Sequence, residues 1–408
     1  MRIAIAAASL LFVAVAMPAQ AKPSCGLDSG QPATGEPIQV GAVTSASGLF
    51  NFSSGSKAAA AYFKCVNANG GIHGRPIAYT VGDDQSRADV AAQVAQKLVN
   101  DVKVVALAGG ASGIECLPNA ALYQSAGLYD ILSTGPTAQC YMSSNIVPLS
   151  AGPRLSVIAD ARYAVEQLGA KSVACSRPNI PGTEWICNGV KEWGAKRGVK
   201  VSEVVFDPAS VDYNSLVLQA AATKADAFVP LGTYDSFVQL AAAAEGQDLA
   251  AHMKVAAPGS AYHPNLPKAI GDYWNNRFWV SLEYKPTDAA GPDNTNWHEV
   301  MATYGEKGDP QDNFSQGGYL AARLLAESLL KLDPEKIDRA TVTAALAQVT
   351  DFSSDMLCGP ISFGGASATR HNPNHGNLMA VVTDGKWKVV SDCMESDDPE
   401  LAAAAQSK

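Results

Sequence analysis

Beyond its first twenty residues the chain has no apolar run approaching the roughly 18 residues that a membrane helix needs. It also has no basic run, no C-x-x-C, and neither glycine-rich pattern G-x-x-x-x-G-K-[ST] nor G-x-G-x-x-G. The first absence leaves no internal membrane helix. Without a basic run, and with 30 Lys and Arg against 39 Asp and Glu, nucleic acid and anionic membrane surfaces are disfavoured partners. Missing C-x-x-C removes the usual dithiol redox motif. The absent glycine loops leave nucleotide binding without support, so no cofactor is expected. No repeat of 20–50 residues occurs, which excludes a solenoid.

What is present begins with a leader. Arg2, an apolar run over 3–17 and then Ala19-Gln20-Ala21 have the charged, apolar and A-x-A regions of a secretory signal peptide. Lys22-Pro23-Ser24 gives no lipobox before Cys25, so a soluble exported protein of about 387 residues is expected, enough for two lobes. Losing Arg2 takes the net charge from −9 to near −10. All 8 cysteines lie in the exported part. An even count in an oxidising compartment points to disulfides, although 105 pairings can be drawn. The sequential set, Cys25–Cys65, Cys116–Cys140, Cys175–Cys187 and Cys358–Cys393, is expected because each pair then stays within one lobe. Each bridge is worth roughly 2–4 kcal/mol.

Residues 37–85 read as one βαβ unit. Ile38-Gln39-Val40-Gly41-Ala42-Val43 alternates and then stays apolar, as a buried strand does. Thr44-Ser45-Ala46-Ser47-Gly48 puts small side chains just past the strand's carboxyl end, where open α/β sheets bind ligands. An alanine-rich helix over 53–69 is stopped by Asn69-Gly70-Gly71. The alternation continues with a helix over 86–102, a strand over 103–110 ending in Gly110-Ala111-Ser112-Gly113, a helix over 117–126 and a strand over 129–132. It pauses at 145–148. A second series runs through helices at 154–168, 184–197, 215–222 and, after the loop Gly232-Thr233-Tyr234-Asp235, up to 245, with strands at 172–175, 200–206, 225–231 and 254–257. A strand at 277–282 leads across a hinge, helices at 297–307, 315–332 and 341–348 return to the first lobe, and short strands at 361–363, 378–383 and 387–390 close the chain. Repeated β-loop-α argues parallel sheets with helices on both faces.

The predicted fold class is therefore α/β, with two doubly wound parallel-sheet lobes joined by a three-segment hinge. The expected division is a signal peptide over 1–21, lobe I over 22–150 plus 283–355, lobe II over 151–282 plus 356–396, and a frayed acidic tail over 397–408. Crossovers fall near Pro148, Ser281 and Met356.

Two sharper chemistries lack part of their motif. Ser112 sits on a strand-to-helix turn, as a nucleophile elbow does, but the motif needs glycine two residues on and Ile114 is there. His371-Asn372-Pro373-Asn374-His375 offers two metal-ligating side chains and no third, so no metal is expected. What remains is a set of strand-end loops. In lobe I they carry Ser47, Phe50 and Phe52, then Ser112 and Gly113, then Thr134 and Thr137. Hydroxyls and loop N–H groups at helix N-termini suit a carboxylate, and the two phenylalanines could cover an apolar side chain. In lobe II the loops hold Arg177, then Tyr234 and Asp235, then Gly259. Arg177 is the cation expected in the crevice, where it could pair with an anion.

The motifs Asn67-Ala68-Asn69-Gly70-Gly71-Ile72-His73-Gly74-Arg75 and Asp83-Asp84, with Gly359-Pro360-Ile361-Ser362-Phe363 and Asp384-Gly385-Lys386-Trp387, resemble the type I periplasmic solute-binding proteins of ABC importers. The branched-chain amino acid (Leu/Ile/Val) receptor group is the nearest likeness. The resemblance implies a periplasmic, monomeric, non-enzymatic receptor that closes on a small ligand and delivers it to an ABC permease in the inner membrane. It implies carboxylate capture around Ser112-Gly113 and Thr137. Two departures matter. The family's ammonium-holding acid, after Ala256-Ala257-Pro258, is matched by Gly259. The ligand-covering tyrosine falls at Pro181-Gly182. A carboxylate-bearing solute with no required α-ammonium is therefore the expected ligand. The alternatives are a branched-chain amino acid whose ammonium meets Asp235 or Glu184, a sensing partner of a membrane receptor, and, more distantly, an exported hydrolase.

Overall fold

A computed structural model of the protein describes residues 23–49, 51–365, 368 and 370–401. The leader and Phe50 lie outside the described residues. The first series supplies β1 (Ile38–Thr44), α1 (Ser53–Ala68), β2 (Ile77–Asp83), α2 (Ala88–Gln96), β3 (Ala106–Ala108), α3 (Cys116–Ser125), β4 (Asp130–Leu132), α4 (Ala138–Tyr141) and β5 (Ile146–Pro148). Its five strands form a parallel sheet in the order β2-β1-β3-β4-β5. The pause expected at 145–148 is a real edge strand. Three residues ending in proline give no readable period, and proline is tolerated at a sheet edge.

The second series supplies α5 (Gly152–Glu166), β6 (Ser172–Pro178), α6 (Glu184–Ala195), β7 (Lys200–Phe206), α7 (Tyr213–Ala222), β8 (Ala227–Val229), α8 (Tyr234–Gly246), β9 (Lys254–Ala257), α9 (Leu266–Ile270) and β10 (Phe278–Leu282). After α10 (Pro292–Tyr304), α11 (Asn313–Leu330) and α12 (Arg339–Ala347), the chain returns with β11 (Gly376–Thr383), β12 (Lys386–Val389) and β13 (Met394–Glu395). The second sheet runs β12-β11-β10-β9-β8-β6-β7, with β13 also on β11. Its body is parallel, but β11 lies antiparallel to β10 and to both later strands. Residues 361–363 form no strand; Ile361 makes one isolated bridge with Phe352. The chain crosses between sheets three times, at β5–α5, β10–α10 and α12–β11.

The central strands of both sheets are buried on two faces, which is why β3, β8 and β9 read as apolar runs, whereas β2, β7 and β12 are partly exposed. In the first lobe α1 packs against α11 so tightly that a Cβ on Gly318 would lie 1.9 Å from the Gly55 carbonyl oxygen. Asn67 explains the shape of its motif: its side chain donates to the Ile77 carbonyl at 2.8 Å and accepts the Ile77 amide at 2.7 Å, tying α1 to β2. All four sequential disulfides are present, with Cα separations of 5.1 to 6.0 Å.

Of the stretch expected to fray, residues 397–401 carry side-chain pairs to the rest of the fold, and 402–408 lie outside the described residues. Asp398 is buried and pairs with Arg154 at 2.9 Å and Arg370 at 2.8 Å. An acidic, alanine-rich composition hid those partners, which come from α5 and the last crossover.

Candidate functional site

The loop after β1 is shaped by the two aspartates that end β2. Asp83 accepts the Ala46 amide at 2.9 Å and the Ser47 hydroxyl at 2.6 Å. Burial works to raise its pKa, but these donors outweigh it and hold the carboxyl below its usual range. Asp84, fully buried, accepts the Ser45 hydroxyl at 2.8 Å, the Ser86 amide at 2.8 Å and the Ser112 hydroxyl. Gly48 has φ +89°, and a Cβ there would meet the Gln85 carbonyl oxygen at 2.3 Å. Asp83-Asp84 is thus a brace for the loop.

Between the lobes lies a cavity of about 570 Å³, lined by strand-end loops of both sheets. That is the size range of small-molecule sites. One wall is Phe52 against Phe314, edge to face with centroids 5.3 Å apart. The opposite wall is Tyr234 on His263, centroids 4.3 Å apart. The lobes also touch at the rim, where the Ala138 amide donates to the Gly182 carbonyl at 3.5 Å.

Of the residues expected in the crevice, Ser47, Phe52, Gly113, Thr134 and Tyr234 line this cavity. Thr134 accepts from Ser150 at 2.9 Å, which leaves its own proton for another acceptor. Ser112, Thr137, Arg177 and Gly259 are not among the lining residues. Ser112 is buried, gives its proton to Asp84 and caps α3 by accepting the Glu115 amide at 2.9 Å. Thr137 sits at the lobe contact, its hydroxyl 3.5 Å from Cys140 Sγ. Arg177 is spent on Glu203 at 2.5 Å, with Glu184 at 3.7 Å. Gly259 lies behind the lining, against Glu283.

Sequence reasoning missed Glu283, His263 and the Asp312–Phe314 segment, all of which line the cavity. A glutamate ending the apolar run Phe278-Trp279-Val280-Ser281-Leu282 was the available signal for the first. Asp312 caps α11 by accepting the Ser315 amide at 2.9 Å. Among the described residues the lining holds three carboxylates, Asp235, Glu283 and Asp312, and no lysine or arginine. Burial raises the pKa of Glu283 and, against the Ser315 amide and Ser54 hydroxyl, that of Asp312. Burial also lowers the pKa of His263 in spite of Asp312 and Asp235, which favours its neutral form.

Among the described residues no group of three His, Cys, Asp or Glu could hold a metal ion. His371 is buried with Nδ1 at 2.9 Å from the Ile146 carbonyl, whereas His375 is exposed beside Glu395. No helix of the described residues is long and apolar enough to cross a membrane.

The family described as periplasmic binding protein matches residues 37–386. Among solved structures, the chain is similar to the leucine-binding protein LivK of Thermotoga maritima, with a TM-score of 0.72 and 16% identity over 89% of this chain and 99% of that one. It is also similar to an ABC-transporter solute-binding protein of R. palustris solved with 4-hydroxybenzoate, with a TM-score of 0.75 and 21% identity over 90% and 100%. An amino acid binding protein of Pseudomonas aeruginosa is 27% identical over 166 residues, 40% of this chain and 44% of that protein's length.

Proposed function

Given that the chain belongs to the periplasmic binding protein family, we propose that it is the solute-capturing component of an ABC importer for a small zwitterion of the amino-acid type. One observation carries this reading: the cavity is lined by three carboxylates and no lysine or arginine. Two unit charges of like sign 4 Å apart repel by about 4 kcal/mol at an effective dielectric of 20. A simple monoanion therefore meets repulsion there, and an ammonium meets attraction. The ligand's apolar body fits between Phe52 and Phe314 on one side and Tyr234 and His263 on the other. Its own carboxylate has neutral donors to meet, Thr134 from lobe I and Ser236 and Ser260 from lobe II. The first turn of α8, which reaches the cavity and has no side-chain cap, adds amide groups.

This reading departs from the sequence-based preference for a carboxylate without an ammonium. That preference rested on Gly259, and it considered neither Glu283 nor Asp312. One observation favours it still: burial holds both acids above the ordinary carboxylate range. A protonated acid can donate to a ligand carboxylate, and a relative of this fold is described as bound to 4-hydroxybenzoate.

Calorimetry with leucine and phenylalanine against their deaminated counterparts, 4-methylpentanoate and 3-phenylpropanoate, separates the two. Binding of the amino acids alone supports the zwitterion; binding of the deaminated acids alone overturns it. A ligand present at 100 times its dissociation constant adds about 2.7 kcal/mol of stability, so thermal shift serves as a screen. Delivery to a permease after export to the periplasm goes with this reading. Ligand-dependent stimulation of the neighbouring permease's ATPase distinguishes import from sensing.

A further inference from the structure

We infer that Glu283, carried at the end of β10, is the carboxylate that selects for a ligand ammonium, in place of a side chain at position 259. The inference rests on the zwitterion reading above. Glu283 is 4% exposed and lines the cavity. Its Oε1 accepts the Ser156 hydroxyl at 2.8 Å. No described group completes a hydrogen bond to Oε2, and burial raises the acid's pKa against the Ser156 and Ser150 hydroxyls and the Gly152 amide. A buried carboxylate oxygen left without a donor is costly, and an ammonium from a ligand supplies both charge and proton.

Gly259 makes room for it. A Cβ at 259 would lie 2.9 Å from Glu283 Cγ, 3.1 Å from Cδ and 3.2 Å from Oε1. A side chain at 259 therefore forces Glu283 to shift from its present position. β9 and β10 are parallel neighbours, paired through Ala257 and Val280, so the ends of both strands face the same crevice. An acid delivered from β10 therefore arrives where an acid following β9 would have stood. Behind it, Asp160 on α5 is buried as well; burial raises its pKa well above the ordinary carboxylate range, and it offers Glu283 no cation. Asp235 and Asp312, the other acids of the cavity, differ from it. Asp312 already caps α11, and Asp235 lies in the exposed first turn of α8.

The test is calorimetry on the full mature chain with leucine, phenylalanine, 4-methylpentanoate and 3-phenylpropanoate. Glu283→Gln should weaken the amino acid bound by the wild type at least tenfold and so narrow the gap between it and its deaminated counterpart. Asp235→Asn should weaken the amino acid less than Glu283→Gln does. A general structural defect would instead weaken both ligand types alike. If Glu283→Gln fails to fold, Gly259→Ala, which displaces the carboxylate without removing it, should give the same selective loss. Unchanged amino-acid affinity in whichever of these variants folds overturns the role of Glu283 and leaves the zwitterion reading standing. A wild-type chain that binds neither amino acid overturns both.

Discussion

The Tyr141 ring of the first lobe lies against Trp185 of the second, with centroids 5.3 Å apart and planes inclined by 31°. Trp185 packs against buried clusters of both lobes. The guanidinium of Arg154 lies 5.1 Å from its ring centre and that of Arg370 lies 5.7 Å away. Its indole N–H donates to Glu400 at 2.7 Å. One side chain therefore joins the two lobes, the last crossover and the C-terminal stretch.

Trp185→Ala should cost about 2 kcal/mol, on the low side for an aromatic truncation because the ring is only partly buried. Urea denaturation measures the loss. Small-angle scattering of the unliganded variant should show a larger radius of gyration than the wild type. Equal radii would mean that the pair does not restrain the lobes.

Asp398→Asn should cost about 1.5–3 kcal/mol, because it takes the buried anion from Arg154 and Arg370 and leaves them Glu400 and, for Arg154, Glu192. Burial works to raise the Asp398 pKa, but Arg154 and Arg370 outweigh it and hold the carboxyl below its ordinary value. A carboxyl depressed in the folded state stabilises above its unfolded pKa, and that stability is lost as pH falls through the folded one. Wild-type stability should therefore drop below about pH 4 more steeply than that of the variant. Parallel acid limbs would count against the pairing.

Asp130→Asn should have the opposite signature. Asp130 lies buried in β4 with Oδ2 unpaired, and burial pushes its pKa up to about 8. Nearby Glu115 is raised as well, by burial and then by Asp130, although Tyr123 donates to it at 2.6 Å. An acid raised on folding favours the native state below its unfolded pKa, and this contribution fades as pH climbs through the folded value. Replacing it should be nearly neutral at pH 5 and stabilising by more than about 1 kcal/mol at pH 9. Thermal denaturation across that range checks the crossover.

Removing Cys116–Cys140 by a double serine substitution should cost about 3 kcal/mol, given the 24-residue separation. The bridge also ties the Gly113 loop, which precedes α3, to the segment beginning at Thr137. Ligand affinity should fall together with stability. A variant that loses stability but binds normally would show that the loop holds its shape without the bridge.

The strands Lys200–Phe206 and Lys254–Ala257 are legible to the residue, because each is a short run with clear turn signals on both sides. β5 is not, since three residues and a proline carry no period. The strand-end loops of the crevice are legible for the same topological reason as the sheet. The partners of their side chains are not. Arg177 looked available because Glu203, which consumes it, lies on β7 opposite Cys175 and far away in sequence. Nothing local marks Glu283, which closes an apolar strand, and its meaning depends on a glycine 24 positions earlier, just past another strand. Such relations exist only after the sheet has formed.

The contact between Gly259 and Glu283 also constrains how such a site can change over generations. With glutamate at 283 in its present rotamer, any larger residue at 259 collides with it. With a side chain at 259, a glutamate arriving at 283 would find its place taken. Glycine at 259 and glutamate at 283 therefore fit each other as a pair, and a change at either alters the room left for the other.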